Sequence, residues 1–187
     1  MKFVVAISGA SGAIYAQRLL HAIPAEKHEV HVVLSTYAKQ IAQGEIGGLK
    51  IPKAFAVHDN KSMEVPFVSG SAKFDAMVVI PCSMGTAGRI AHGYSDSVIT
   101  RAADVFLKEK RKLIIVPRET PWNLLQARNI VSLLEAGATV IPAIPSFYHN
   151  PQTVEEVADT VVARVLDHLG VDNPSIKRWM ETEPALE

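Results

Sequence analysis

The sequence predicts an α/β fold: a three-layer, doubly wound parallel sheet of the Rossmann-like and flavodoxin-like type. Near-continuous apolar segments, such as 2–7 and 74–82, have the length of strands. Because they are apolar at nearly every position, they indicate burial on both faces of a sheet. Between them lie stretches whose apolar residues recur at helical spacing. Strands that alternate with helices in this way favour a parallel sheet between two helical layers.

The elements follow one another regularly along the chain. The first strand ends at a turn that contains Gly9 and Gly12, and the helix after it closes at Pro24, which cannot continue a helix. The predicted strands span residues 2–7, 29–35, 74–82, 112–117 and 138–143. The predicted helices span residues 14–23, 37–43, 83–91, 96–110, 121–135 and 153–169.

Capping residues predict several helix ends. Asp96 is a candidate N-cap, and Pro121 suits the first position of a helix. Gly137 and Gly170 are the expected C-caps. The segment 44–73 is rich in glycine and proline and irregular, which predicts mobile active-site loops. We expect one domain over residues 1–187, with 172–187 as a C-terminal tail.

Composition excludes several classes of protein. Nineteen basic and nineteen acidic residues give no net charge, which argues against binding nucleic acid or a membrane through bulk electrostatics. The one cysteine, Cys82, cannot form an internal disulfide, and this fits a reducing compartment. No signal peptide or membrane-spanning apolar run is recognisable. We therefore expect a cytoplasmic protein without nucleic-acid or membrane partners.

The turn after the first strand, 8–12, indicates an anion site. Its glycines permit close approach of a ligand, and the following helix directs free N–H groups into the turn. Gly9 and Gly12 are three residues apart, so the turn matches neither the dinucleotide fingerprint nor the P-loop. A mononucleotide such as FMN, with its phosphate in the turn, fits better than NAD or ATP. A plain strand–turn–helix connection is the alternative.

Three segments that follow predicted strands carry polar groups at the edge where such sheets bind ligands. The segment 81–86 offers hydroxyls and a helix start, although these also suit an ordinary N-cap. The segment 117–121 places Arg118 and Glu119 between prolines, and an exposed ion pair is the alternative. The segment 145–149 adds Tyr148 and His149. Lys108, Arg118 and Arg164 with Tyr148 would make a second anion site, unless the cations are solvated.

Taken together, these segments resemble one family. Residues 9–13 read GASGA, 81–86 read PCSMGT, 101–105 read RAADV, 116–121 read VPRETP and 147–149 read FYH. In this order and spacing they are similar to the UbiX-type flavin prenyltransferases, and the similarity runs from residue 1 to about residue 180. The irregular region 46–70 is shorter than in some members.

The resemblance implies the roles of individual residues. FMN contacts are implied for Gly9, Ala10, Ser11, Ser35, Ser83, Met84, Gly85, Thr86 and Arg101. Contacts to dimethylallyl phosphate are implied for Lys108, Arg118, Tyr148, Arg164 and Trp179. Glu45 and Glu119 match the family's active-site carboxylates, and Glu119, Ser11 and the released phosphate are candidates for the proton transfers. We assign Glu119 as the main acid and base, with Glu45 in support.

The resemblance also implies the reaction. A dimethylallyl group is joined to N5 and C6 of reduced FMN without a metal, and the prenylated FMN serves a separate UbiD-type decarboxylase. Family members are usually dodecamers. The alternatives are an FMN-dependent cysteine decarboxylase of the same superfamily and a flavin carrier without catalysis. The loop 82–86 lacks the Ala-Asn-Thr type of sequence expected of the cysteine decarboxylases.

Overall fold

The computed structural model describes residues 1–173, which form a parallel sheet between two layers of helices. Its strands are Lys2–Ile7 (β1), Glu29–Leu34 (β2), Ala56–Asp59 (β3), Ala76–Cys82 (β4), Lys112–Pro117 (β5) and Thr139–Val140 (β6). Its helices are Ala13–Ala22 (α1), Thr36–Ile46 (α2), Met84–Ala91 (α3), Val98–Lys108 (α4), Leu124–Glu135 (α5) and Val154–Leu169 (α6). Most of the predicted tail, 172–187, lies outside the described residues.

The sheet order confirms the predicted doubly wound fold. The strands are arranged β3-β2-β1-β4-β5-β6, and every neighbouring pair is parallel. This is the Rossmann order, and without the short edge strand β3 it is the flavodoxin order. The direction of winding reverses between β1 and β4, so the crevice outside their carboxyl ends is the expected ligand site.

The two faces of the sheet have separate cores. On one face, Phe3, Val5 and Ile7 of β1 are buried against apolar residues of α1, α2 and α6. On the other face, Val4 and Ala6 of β1 are buried against residues of α3, α4 and α5. Alternate residues of β1 therefore pack on opposite layers, which is why the strand is apolar throughout. Among the helices of residues 1–173, none is long and apolar enough to cross a membrane.

Two predicted helix starts are wrong, because a better cap follows in each sequence. Ser97, not Asp96, is the N-cap of α4, and it forms a capping box with Thr100. Asn123 caps α5 in a reciprocal pair with Gln126, so the helix begins at Leu124 rather than at Pro121. At the other end of α5 the C-cap is Ala136, and the predicted Gly137 follows it with φ 94°.

Other boundaries differ from the prediction where tertiary packing decides. Helix α2 continues to Ile46, past the predicted end at 43, and closes at Gly47 in the left-handed conformation. The segment 44–73 is more regular than predicted, since it contains β3 and a 3₁₀ turn at Pro66–Val68. Strand β3 is mostly exposed and only four residues long, so its sequence has no apolar pattern that would predict a strand. Strand β6 has two residues rather than six.

A histidine pair joins the edge strand β3 to β2. His31 is buried, and its Nδ1 lies 2.9 Å from Nε2 of His58 while the two rings stack. The other ring nitrogen of His31 lies 3.1 Å from a carboxylate oxygen of Glu29. At least one ring must be neutral, because two imidazolium N–H groups cannot hydrogen-bond to each other. Burial, and then the charge of His31, lowers the pKa of His58.

This pair predicts a loss of stability in mild acid. Unfolded His58 takes up a proton near pH 6.5, whereas the folded protein resists it, so the free energy of unfolding should fall as the pH drops below about 6.5. The contribution is fully present above that pH, and His28, whose pKa burial also lowers, acts in the same direction. Urea unfolding at about pH 8 and about pH 5.5 measures it. His58→Gln should reduce the difference in the free energy of unfolding between the two pH values, whereas His149→Gln, in an exposed loop, should preserve it. The same difference in His58→Gln as in wild type would contradict the prediction.

Candidate active site

Three loops meet at the carboxyl edge of the sheet where the winding reverses. They follow β1, β2 and β4, and they carry residues 9–12, Ser35 and residues 83–86. The N–H of Ser35 donates to the carbonyl of Ile7 at 3.0 Å, which holds the second loop beside the first. The structure thus brings together most of the residues expected to contact FMN, all within the crevice that the topology defines.

Ser8 connects the first and third loops, a role that the sequence did not predict. Its side chain is buried, accepts a hydrogen bond from the N–H of Ser83 at 2.7 Å and donates to the carbonyl of Pro81 at 3.0 Å. Both hydrogen-bonding functions of the hydroxyl are used across the two central strands. A small polar residue at the end of an apolar strand was the available signal for this role.

Gly9 is required by the start of α2. A Cβ atom at this position would lie 2.5 Å from the Cβ of Tyr37, closer than two such atoms can approach. Tyr37 itself is largely exposed, and it stands two residues after Ser35. The loop and the helix therefore approach closely through backbone and Cβ atoms, and the N–H of Ala10 donates to the carbonyl of Ser8 at 2.9 Å, which tightens the turn.

The start of α1 holds a carboxylate rather than the predicted phosphate. Glu45 accepts hydrogen bonds from the N–H groups of Gly12, at 2.9 Å, and Ala13, at 2.8 Å. Burial acts to raise the pKa of Glu45, but hydrogen bonds from the Ser11 side chain and from these two amides, with the charge of Arg118, outweigh it and lower the pKa. The prediction of a phosphate in this turn is corrected accordingly: its donors already have an anionic partner.

The start of α3 offers a better place for a phosphate. Ser83 caps the helix by accepting from the N–H of Thr86 at 3.3 Å and donates to the Thr86 hydroxyl at 3.0 Å. The first N–H groups of a helix have no partner within it, so those of Met84 and Gly85 are available to an acceptor. Gly85 is exposed, which leaves room beside the backbone. The Thr86 hydroxyl, which Ser83 orients, and two amides at one helix start fit the phosphate of FMN.

Cys82, immediately before this helix, is not a nucleophile. Its side chain is fully buried, and burial raises the pKa of the thiol to about 12. The thiol therefore remains protonated at neutral pH and contributes apolar packing beneath the loop.

Arg118 and Glu119 lie in the loop that follows β5. The N–H of Arg118 donates to the carbonyl of Cys82 at 3.1 Å, and its side chain reaches Gly12 and Tyr15. The charge of Arg118 also acts on Glu45. Glu119 accepts at its carboxylate from the N–H of Thr120 at 3.1 Å. One cation and two carboxylates, Glu45 and Glu119, are thus presented beside the loops at the carboxyl edge.

Trp122 shapes the Glu119 loop and was not predicted. Its indole Nε1–H donates to the carbonyl of Glu119 at 3.0 Å, which closes the turn around Thr120. The indole is partly exposed at this end of the molecule. A tryptophan just after a proline was the only feature that could have drawn attention to it in the sequence.

Two further cations lie in the helical layer made by α3, α4 and α5. Arg101 of α4 donates to the carbonyl of Val68 at 3.2 Å and pairs with Asp104 at 2.8 Å. Lys108 ends α4 and pairs with Glu109. Lys108 precedes β5 and Arg118 follows it, so the six residues of the strand separate them by roughly 20 Å. One subunit does not bring Lys108 to Arg118.

Tyr148 and Arg164 belong to the opposite layer. The N–H of Ser146 donates to the hydroxyl of Thr160 at 3.1 Å, one helical turn before Arg164, so the Tyr148 loop and Arg164 share one flank of the molecule. Arg164 is exposed and pairs with Asp167. Because α4 and α6 cover opposite faces of the sheet, one subunit also keeps Lys108 from Arg164. Trp179 lies outside the described residues.

Comparison with known proteins identifies the chain. A family model described as Flavoprotein matches residues 1–166. A flavin prenyltransferase UbiX of Methanocaldococcus jannaschii is 48% identical over 182 residues, covering 96% of this chain and 98% of that protein. Its counterpart in Thermoplasma acidophilum is 44% identical, covering 96% and 100%. The class is therefore that of the flavoproteins. Within it, the chain belongs to the UbiX-type flavin prenyltransferase family.

Solved structures agree with this placement. A dodecameric FMN-dependent UbiX-like decarboxylase from Escherichia coli O157:H7 has a TM-score of 0.89 and 39% identity, covering 96% of this chain and 99% of that one. AnUbiX (PadA1), in complex with FMN and dimethylallyl pyrophosphate, also has a TM-score of 0.89, with 37% identity and coverage of 95% and 96%. The FMN-dependent cysteine decarboxylase TvaF, at 18% identity and a TM-score of 0.61, shares the fold alone.

The close contact at Gly9 predicts the effect of a single methyl group. An overpacked contact of this kind costs about 1–3 kcal/mol, and because the loop proposed to contact the flavin must shift to relieve it, Gly9→Ala should raise the Kd for FMN by roughly 5- to 150-fold. Gly44→Ala is the matched control, because a Cβ there meets nothing within 4 Å. Fluorescence titration with FMN measures both. The same Kd for Gly9→Ala and wild type would contradict the prediction, because it would show that the loop accommodates the methyl group without losing affinity for FMN.

Proposed function

We propose that this chain is a flavin prenyltransferase, which joins the dimethylallyl group of dimethylallyl phosphate to N5 and C6 of reduced FMN. The observation that carries the proposal is the position of Arg118, Glu45 and Glu119 beside loops that fit FMN. Two structures with TM-scores of 0.89 support it, one of them holding FMN and dimethylallyl pyrophosphate. The prenylated FMN then serves a UbiD-type decarboxylase.

The loops at the carboxyl edge bind and orient the flavin. Ser83 and Thr86, with the first N–H groups of α3, would hold the phosphate of FMN, and Ser35 at the start of α2 would be a further contact. The backbone of residues 9–11 contacts the ring system, which places it near Glu45 and Arg118. Reduced FMN supplies the nucleophilic N5 and C6 positions. The residues of the chain supply charge and proton transfer around them.

Arg118 stabilises the phosphate that leaves. The bond between the allylic carbon and the phosphate oxygen breaks as the bond to N5 forms, and negative charge accumulates on the departing oxygen. A guanidinium directs paired N–H groups at such an oxygen, and this interaction strengthens as the charge grows. Lys108, Arg164 and Tyr148 supply further donors from neighbouring subunits, because a single subunit holds Lys108 on a different layer from the other two.

Glu119 is the main acid and base of the second bond formation. Alkylated N5 loses its proton, a proton is then added at the prenyl double bond, and C6 bonds to the carbocation so formed and loses its own proton to the released phosphate. Glu119 takes up the first proton and supplies the second from a loop that Trp122 and Thr120 hold in place. Ser11 and Glu45 act beside it, linked by the hydrogen bond from the Ser11 side chain.

Exposed apolar residues support assembly into a homo-oligomer. Helix α5 exposes Leu124, Leu125, Val131 and Leu134, and the loop before α6 exposes Ile144 and Phe147. Clusters of this kind mark protein–protein contacts. The Escherichia coli relative is dodecameric. We infer that this chain forms a similar oligomer, located in the cytoplasm, with each site completed by residues of more than one subunit.

Anaerobic incubation tests the reaction directly. With reduced FMN and dimethylallyl phosphate, the protein should yield a flavin heavier by one C5 unit, detected by mass spectrometry of the extracted flavin. Parallel reactions with dimethylallyl diphosphate identify the preferred donor, and Glu119→Gln should accumulate product far more slowly. An unchanged flavin mass with FMN bound would contradict the transferase and leave the carrier function.

Mixed oligomers test whether sites are shared between subunits. Lys108→Ala and Arg118→Ala proteins should each be inactive alone, because each removes a donor from the leaving phosphate. Dissociated, mixed and reassembled, they should regain activity, since some sites then combine an intact Lys108 with an intact Arg118 from a different subunit. If both residues served a site from the same subunit, no mixture would contain an intact site. Reassembled single variants are the controls.

A further inference from the structure

A row of polar contacts runs down one face of α1. Ala13, Gln17 and His21 are each four residues apart, so they lie above one another on this helix. The N–H of Ala13, at the top of the row, donates to the carboxylate of Glu45 at 2.8 Å. The two side chains below it contact the backbone of Lys50, in the segment that follows α2. One face of α1 therefore holds both the end of α2 and the chain that leaves it.

Gln17 binds both backbone groups of Lys50. Its Oε1 accepts from the N–H of Lys50 at 2.7 Å, and its Nε2 donates to the carbonyl of Lys50 at 2.8 Å. The same Nε2 lies 2.8 Å from Nε2 of His21, which itself lies 3.0 Å from the carbonyl of Lys50; this ring nitrogen accepts from Gln17 in one tautomer and donates to Lys50 in the other. The half-buried primary amide thus fixes one point of the backbone.

Lys50, the residue held by Gln17, is close to Glu45 along the chain. Glu45 belongs to the last turn of α2, which closes at Gly47 and Gly48, where the N–H of Gly48 donates to the carbonyl of Ala42 at 2.9 Å. Lys50 follows two residues later, and its neighbours Leu49 and Ile51 pack against the core under α1. The end of α2 is therefore held on its far side by Lys50, while Glu45 reaches the start of α1 on the near side.

We propose that Gln17 is a positioning residue for Glu45, acting through the backbone of Lys50. This inference rests on the proposed function for its effect on catalysis, although its structural part does not. Glu45 is exposed and sits on a helix end that two glycines follow, so its carboxylate needs an external constraint to remain at the N–H groups of Gly12 and Ala13. The two hydrogen bonds between Gln17 and the backbone of Lys50, here called the clamp, supply that constraint. They come from α1, the helix whose first N–H groups bind Glu45.

Gln17→Met tests the clamp, because methionine keeps the length of the side chain and loses both hydrogen bonds. The structural readout is hydrogen exchange of the segment that contains Gly12 and Ala13, followed by mass spectrometry on the intact oligomer. Exchange there should become faster in Gln17→Met and stay unchanged in Gln40→Met, an exposed position on α2. Unchanged exchange in Gln17→Met would overturn the proposal whatever the activity. Faster exchange in a protein whose wild type makes no prenylated flavin would support the clamp and reject the proposed function.

The catalytic readout separates positioning from general destabilisation. Misplacing a catalytic group by about 1 Å can cost on the order of a hundredfold, so kcat for prenylation should fall about tenfold or more in Gln17→Met, with the Kd for FMN unchanged. In a Glu45→Ala background, the same substitution should change kcat by about twofold or less, because the group that it positions is gone. Independent, multiplying effects of the two substitutions would contradict the proposal. Gln17→Glu, which keeps the acceptor for the N–H of Lys50, should lie between Gln17→Met and wild type.

Discussion

The hydroxyl of Ser8 is the contact on which the rest of the site depends. It is buried between the ends of β1 and β4, and it joins the turn that leads to α1 with the turn that leads to α3. Leaving a buried partner unsatisfied costs about 1–3 kcal/mol, a large part of the net stability of a domain. The two turns consequently keep a fixed separation, which sets the spacing between the loop 9–12 and the start of α3.

One carboxylate and one guanidinium set the charge around these two turns. The carboxylate of Glu45 occupies the start of α1, and the proposed function therefore assigns the phosphate of FMN to the start of α3. Arg118 then lies near the carboxylate and the flavin loops rather than at the phosphate of FMN. The arrangement leaves one guanidinium for a second anion, and this is what a reaction with a phosphate leaving group requires.

Much of the fold could be predicted from the sequence, because buried parallel strands carry their own apolar signature, as 2–7 and 74–82 do. The edge strand Ala56–Asp59 could not be predicted, because its side chains remain exposed and carry no apolar pattern. It is a strand because its backbone pairs with β2. At the site, residues directly after strands were placed together as the topology requires. Charge and the family resemblance group Lys108, which ends a helix, with Arg118, and neither contains information on which end of β5 a residue occupies or which subunit supplies it.

The placement of Lys108 and Arg118 at opposite ends of one strand has a thermodynamic corollary. A ligand that draws donors from several chains binds the assembled particle more tightly than its separated pieces. If the donor site is shared between subunits as proposed, binding of the prenyl donor would stabilise the oligomer against dissociation. Dilution that dissociates the oligomer would in turn lower the affinity for the donor. Substrate supply and quaternary structure would then regulate each other by mass action.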